Sequence, residues 1–233
     1  VVLSDSDLII NIPLQDVYQS HLSSGADITA VCTTNSGVCE DATHFRLDGE
    51  GRVREVLTNL RDTTGCHRAL EIYILSKELL LQLVDQCVSH DQFSFRSAVL
   101  QGQTDTLTIG SYVWDGYAAQ IRSLKEYYDR SLELLDTSIR REVFHPQRPI
   151  HTKERNDAST YVDPDGGCCN CLVADGCTIE GSVENSILFR GVSVARGAQV
   201  KNCILMQDTA VGRDAVLHHV IADKNVQIMA GRT

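Results

Sequence analysis

The sequence lacks several features that would place it in a class at once. It has no long apolar run: its richest stretches, Ile72–Leu75 and Leu79–Leu81, are far shorter than the roughly 20 residues that cross a bilayer. No transmembrane helix is expected. It is short of positive charge, with 21 Lys and Arg against 31 Asp and Glu and a formal net charge of −10. Nucleic acids and anionic membranes are held by clustered cations that displace counterions, so neither is an expected partner. It also lacks an initiator Met and a basic segment ahead of Val1-Val2-Leu3, so the start does not read as a signal peptide. It reads instead as a strand cut from its domain.

The cysteines also exclude something. There are nine, an odd number, scattered through a chain with no secretory signal, which points to reduced thiols in a cytoplasm. Cys168 and Cys169 are adjacent and Cys169 and Cys171 alternate, so with Cys177 the four do not form the two pairs, each separated by two to four residues, that are usual at a zinc site. Small buried or surface thiols fit them better than a metal.

The 233 residues, 42% of them apolar, are enough for one ordinary core and a smaller second one. Residues 1–139 alternate between strand and helix patterns. Val1–Leu3 reads as a strand running into the turn-forming Ser4-Asp5-Ser6-Asp7. Pro13 opens a helix whose apolar residues Leu14, Val17, Tyr18 and Leu22 share a face and end at Gly25. Val17/Leu22, like Leu132/Leu135 further on, is expected to pack in a core. With Ile28–Cys32 this forms a βαβ unit, which implies neighbouring parallel strands. His44–Asp48 and Arg52–Leu57 flank Gly49-Glu50-Gly51 as a hairpin. Ala69–Leu75 is a strand, Ser76 caps a helix to about Val88, Thr104–Val113 is a strand, and Ser123–Leu135 is a helix.

Residues 140–167 lose periodicity and read as a linker punctuated by Pro146, Pro149, Pro164 and Gly166-Gly167. Residues 168–233 then carry a repeat. Leu188, Val194, Val200 and Met206 are six apart, with Val192, Ala198, Ile204 and Ala210 four after each; following a one-residue slip, Val211 and Leu217 resume the series. This spacing is the hexapeptide signature of a parallel β-helix, here of about three coils. Antiparallel hairpins would not hold such a register. A β-helix does no chemistry by itself, and its usual work is assembly and ligand-gated contact.

Several strings now become informative: Tyr127-Tyr128 to Asp136, Arg148-Pro149-Ile150-His151-Thr152, Leu172-Val173-Ala174-Asp175-Gly176-Cys177, Val183 to Leu188, and Ile221-Ala222-Asp223-Lys224-Asn225. Together they resemble the glucose-1-phosphate adenylyltransferases (ADP-glucose pyrophosphorylases) over nearly the whole chain. The resemblance implies an α/β, Rossmann-like nucleotidyltransferase domain followed by a left-handed parallel β-helix, a tetrameric assembly, and synthesis of ADP-glucose from ATP and glucose 1-phosphate for glycogen or starch. It also implies that the glycine-rich nucleotide loop of the family lies upstream of Val1, so that the chain is a fragment.

Catalytic members hold Mg²⁺ with two aspartates. The first matches Asp7, with Ser6 where the family has Gly; the second matches the neutral Gln120 within Ala118–Ser123. A neutral amide does not replace a carboxylate at a metal, which argues against Mg²⁺ binding by this chain. The Glu-Lys-Pro that contacts the sugar phosphate matches Thr58-Asn59-Leu60, without its cation. The expectation is therefore a regulatory, catalytically weak subunit of the Gram-positive type, which opens its late segment with Gly-Tyr, here Gly116-Tyr117. Its partner would be the catalytic adenylyltransferase subunit, and Arg148 and Lys153 could meet a small anionic effector. Asp7 is at most a vestigial catalytic residue, since Ser-Asp-Ser-Asp makes a good turn without metal. Alternatives are an active sugar-1-phosphate nucleotidyltransferase of other nucleotide specificity, a non-enzymatic β-helix scaffold, and a β-helix acyltransferase whose catalytic candidates would be His218 and His219.

Overall fold

A computed structural model describes residues 1–34, 42–58, 62–91, 94–152 and 156–233. The chain forms two compact units, Val1–Ala118 and Ala119–Thr233.

In the first unit, β1 (Val2–Ser4) and β2 (Leu8–Ile10) bracket the acidic loop. Helix α1 (Leu14–Ser24) follows Pro13 and closes at Gly25, whose φ of 63° suits a residue without Cβ. β3 (Ile28–Thr33), the antiparallel hairpin β4 (Thr43–Leu47) and β5 (Val53–Thr58), and β6 (His67–Leu75) come next. Helix α2 (Lys77–Ser89) is capped by Ser76, whose Oγ accepts the Leu79 N–H at 3.0 Å. After a π-helical turn at Arg96–Gln101 comes β7 (Ile109–Val113). The predicted strand over 104–113 thus begins only at Ile109, after turns.

The sheet order is β5-β4-β6-β3-β7, with β1 also on β6. β1 and β3 both run antiparallel to β6, which lies between them. They are parallel to each other but are not neighbours, a correction to the simple βαβ reading. The long apolar β6 takes the central position because it can be buried on both faces. Ala69, Tyr73 and Leu75 join Ile28, Phe45 and Leu100 in one cluster, while Leu70, Ile72 and Ile74 join Val17 and Val31 in another. Of the α1 stripe only Val17 is fully buried; Leu22 is 56% exposed, so the expected Val17/Leu22 core pair is half right. Leu132 and Leu135 are half-buried.

β8 (Ala118–Gln120) runs across the boundary between the units. In the second unit, α3 (Leu124–Glu133) is capped by Ser123 and α4 (Thr137–Val143) by Asp136. Residues 119–139 thus group with the β-helix, where the sequence pattern had joined them to the first domain. The first coil consists of β9 (Tyr161–Val162), β10 (Gly167–Cys169) and β11 (Leu172–Val173). Three parallel sheets of five, four and four strands follow from stacking successive coils, about four in all.

The register differs in detail from strict hexads. Val183, Val200 and Leu217 stack, as do Leu188, Leu205 and Ala222, so these coils are 17 residues long rather than 18. Leu205, fully buried, takes the inward place predicted for Met206, which is half-buried. The side from Val200 to Leu205 is one residue short because its corner is a tight αL turn. Asn170, Asn185, Asn202 and His219 stack at that corner with φ between 46° and 55°. Asn and Asp tolerate αL, and Asn170 Nδ2 donates to Asn185 Oδ1 at 2.8 Å along the ladder.

Candidate functional site

The β1–β2 loop carries Asp5, which is exposed, and Asp7. Asp7 is half-buried. The loop is tied to β6 by the Asp5 N–H, which donates to the Glu71 carbonyl at 3.3 Å. Glu71 is the functional-looking residue that periodicity misses. It has φ of 52° in mid-strand, a conformation that costs a residue with a Cβ about 1–3 kcal/mol and is kept where surrounding contacts enforce it.

The cause lies in the sheet. On one edge β6 changes partner from β4, at His67 and Arg68, to β1, at Ile72–Ile74, and on the other edge its register with β3 slips between Ala30 and Cys32. Glu71 occupies that gap. Its side chain is buried yet well partnered: Oε1 accepts from Thr43 Oγ1 at 2.9 Å, Oε2 accepts from the Tyr73 hydroxyl at 2.6 Å, and Arg96 Nη2 stands 3.7 Å away. A cavity of about 370 Å³ adjoins, lined by Ser4, Asp5, Glu71, Tyr73 and Arg96 among others. Burial, with the Glu71 carboxylate beside it, drives the Tyr73 hydroxyl well above its ordinary pKa. The visible signal in sequence is a lone acid in Ala69-Leu70-Glu71-Ile72-Tyr73, an otherwise apolar strand.

Thr58 ends β5 and pairs with Thr43, the residue that donates to Glu71. The hairpin therefore brings one predicted position to a direct neighbour of the Glu71 network. Asn59 lies outside the described residues, as does Lys153. Gln120 is buried on β8, in the second unit. Arg148 is half-buried after α4. Asp7 and Gln120 offer one carboxylate between them, and among the described residues no three His, Cys, Asp or Glu side chains gather to hold a metal ion. These residues do not fit Mg²⁺ by themselves.

Gly116 has a local reason: a Cβ there would lie 2.4 Å from the Trp114 ring, whose Nε1 donates to the Tyr117 carbonyl. His218 is exposed on its strand and His219 occupies the αL corner. The His219 ring lies tilted against Tyr128 with centroids 6.3 Å apart, and the Tyr128 hydroxyl donates to the Asn202 carbonyl at 2.6 Å, so the corner histidine is built into a structural ladder. No helix among the described residues is long and apolar enough to cross a membrane.

A family model described as GlmU-like, C-terminal hexapeptide matches residues 157–233. The glycogen biosynthesis protein GlgD of Bacillus subtilis (strain 168) is 35% identical over 229 residues, covering 97% of this chain and 57% of that protein. Over nearly its whole length the chain is similar to glucose-1-phosphate adenylyltransferases. The enzyme of that name from Corynebacterium jeikeium (strain K411) is 35% identical over 264 residues, with 99% of this chain and 63% of the relative covered. GlgD of Geobacillus stearothermophilus is 39% identical over 133 residues, 57% of this chain and 38% of the relative. The chain thus spans about three fifths of the length of its full-span adenylyltransferase relatives, and the hexapeptide match extends upstream of residue 168 to take in the first coil.

Proposed function

We propose that this chain acts in glycogen biosynthesis as a regulatory subunit of glucose-1-phosphate adenylyltransferase, supporting ADP-glucose synthesis by a catalytic partner while contributing little chemistry itself. The observation that carries this reading is Gln120. Where the adenylyltransferase resemblance expects a metal-binding aspartate, a neutral amide stands, and an amide cannot balance the charge of Mg²⁺ and a nucleotide phosphate. Thr58 adds to it by occupying a position of the sugar-phosphate segment without supplying an anion or a cation. The relation to two GlgD proteins, whose name is a glycogen-biosynthesis name, supports the pathway. The β-helix is then the part through which the subunit contributes, by docking in a mixed tetramer and by altering the partner's response to a small anionic effector.

The test is reconstitution. The full-length protein is purified alone and with its catalytic partner, and ADP-glucose formation from ATP and glucose 1-phosphate is measured. Low activity alone, with increased activity or changed effector response on mixing, is the expected result. Robust activity alone overturns the proposal. The GlmU-like character of the hexapeptide match favours one second reading, an enzyme of other nucleotide specificity. A nucleotide-binding survey separates the two: preference for ATP or ADP-glucose supports the first, and preference for UTP or GTP supports the second.

A further inference from the structure

A cavity of about 550 Å³ lies in the second unit, between the end of α4 and one face of the β-helix. Its floor comes from an unusual row. Val173 and Leu188 pack into the coil, so Leu172 and Ile187, the residues just before them in sequence and in register with each other, point outward, and the next residue of that row, Ile204, is fully buried. Outward positions on a solenoid are ordinarily solvated, and an outward apolar row needs a cover. Arg140 and Phe144 of α4 line the cavity, as do Phe189 and Arg190 from the adjoining corner. Both rings remain open to solvent, Phe144 at 52% and Phe189 at 41% exposure.

The cations decide what fits. Arg140 is fixed by donating to the Leu134 and Leu135 carbonyls at 2.9 and 3.2 Å and to Thr137 Oγ1 at 3.2 Å. All three acceptors are neutral and orient its charge, and the Asp136 carboxylate at the start of α4 acts on it through space without accepting a hydrogen bond from it. Arg190 Nε stands 3.5 Å from Asp157 Oδ2, a loose and half-exposed pair. Two guanidiniums beside an apolar floor, in a chain of net charge −10, complement an anion with an apolar body. The volume lies within the roughly 300–1,000 Å³ of ordinary small-molecule sites.

We propose that this cavity binds a small amphipathic anion, an aryl or acyl body bearing one carboxylate, sulfonate or phosphate group. The site is independent of whether the chain is a regulatory subunit. The probe is 8-anilinonaphthalene-1-sulfonate, followed by fluorescence on the folded full-length protein, with uncharged N-phenyl-1-naphthylamine for comparison. Saturable one-site binding is expected, at least about tenfold tighter for the anion, which corresponds to about 1.4 kcal/mol. Phe189→Ala and Arg190→Gln weaken it about tenfold. Asp157→Asn, which releases Arg190, tightens it, a result that partial unfolding would not give. Equal affinity for the neutral probe, or binding indifferent to all three substitutions, overturns the proposal. So does competition between probe binding and self-association in sedimentation, which would make this face a contact between copies.

Discussion

The Tyr73 hydroxyl donates to the Glu71 carboxylate at 2.6 Å, while Thr43 satisfies the other carboxylate oxygen at 2.9 Å. A buried carboxylate that loses a donor keeps its desolvation cost, so Tyr73→Phe is expected to destabilise the first unit by about 1.5–3 kcal/mol in urea denaturation. Tyr73 also sets an alkaline limit. Its pKa is raised in the folded state, so the folded protein holds the phenolic proton more tightly than the unfolded chain does. That stability is fully present below about pH 10 and falls as pH rises above it. Stability measured from pH 8 to 11.5 should decline less steeply in Tyr73→Phe. An unchanged slope would show that the hydroxyl is not buried against Glu71.

Gly197 sits directly against Asp214 in the next coil. A Cβ on Gly197 would lie 2.0 Å from Asp214 Oδ1, and φ is 75°, where side chains are strained. Gly197→Ala should cost at least about 1–3 kcal/mol. In an Asp214→Gly background part of that cost should vanish, because the clash is gone while the strain remains. A double-mutant cycle by thermal melting measures this, and strict additivity would contradict the stacked arrangement.

Asp163 supplies an acid limit. The Asp165 N–H donates to its carboxylate, which Arg196 also contacts at 3.2 Å, and together they hold its pKa below the ordinary carboxylate value. A lowered folded pKa gives stability that is present above the unfolded value near 4 and is lost as pH falls through the folded one. Melting temperatures from pH 7 to 3 should therefore fall more steeply in the wild type than in Asp163→Asn. Parallel curves would remove Asp163 from the account.

Thiol chemistry should separate buried from exposed cysteines. Cys32 is fully buried on β3, and burial pushes its pKa up to about 12, whereas Cys169 is exposed on β10. Because the thiolate is the reactive form, iodoacetamide at pH 8 should label Cys169 in the folded protein and Cys32 only in denaturant. Peptide mass mapping reads the outcome, and early labelling of Cys32 would place β3 at an accessible edge.

How much of this could be read in advance follows the range of each interaction. The caps at Ser76 and Ser123 and the stop at Gly25 are written within a few residues, and so was the hairpin around Gly49-Glu50-Gly51. The coiled repeat was legible for the same reason, although its 17-residue period was not. A hexad pattern does not reveal that an Asn in the αL conformation shortens one corner, and Leu205 and Met206 are equally apolar in the sequence. The start of the first coil, Tyr161 and Val162 on β9, fell outside the expected 168–233 because two residues amid prolines and glycines carry no repeat.

Of the candidate site, the acidic loop and the neutral Gln120 were readable as residue types. Glu71 was not, because nothing local distinguishes a buried, partnered glutamate from one that interrupts a strand.

By itself, then, the sequence determined the local elements, the existence of the β-helix and the family likeness, since these rest on spacing and on residue identity. Only the tertiary structure placed β6 between β1 and β3, opened the gap that Glu71 fills from Thr43 and Tyr73, and put Arg140 and Arg190 on one cavity over Leu172 and Ile187. Those arrangements depend on pairings between residues tens of positions apart, whose free energy no short window of sequence contains.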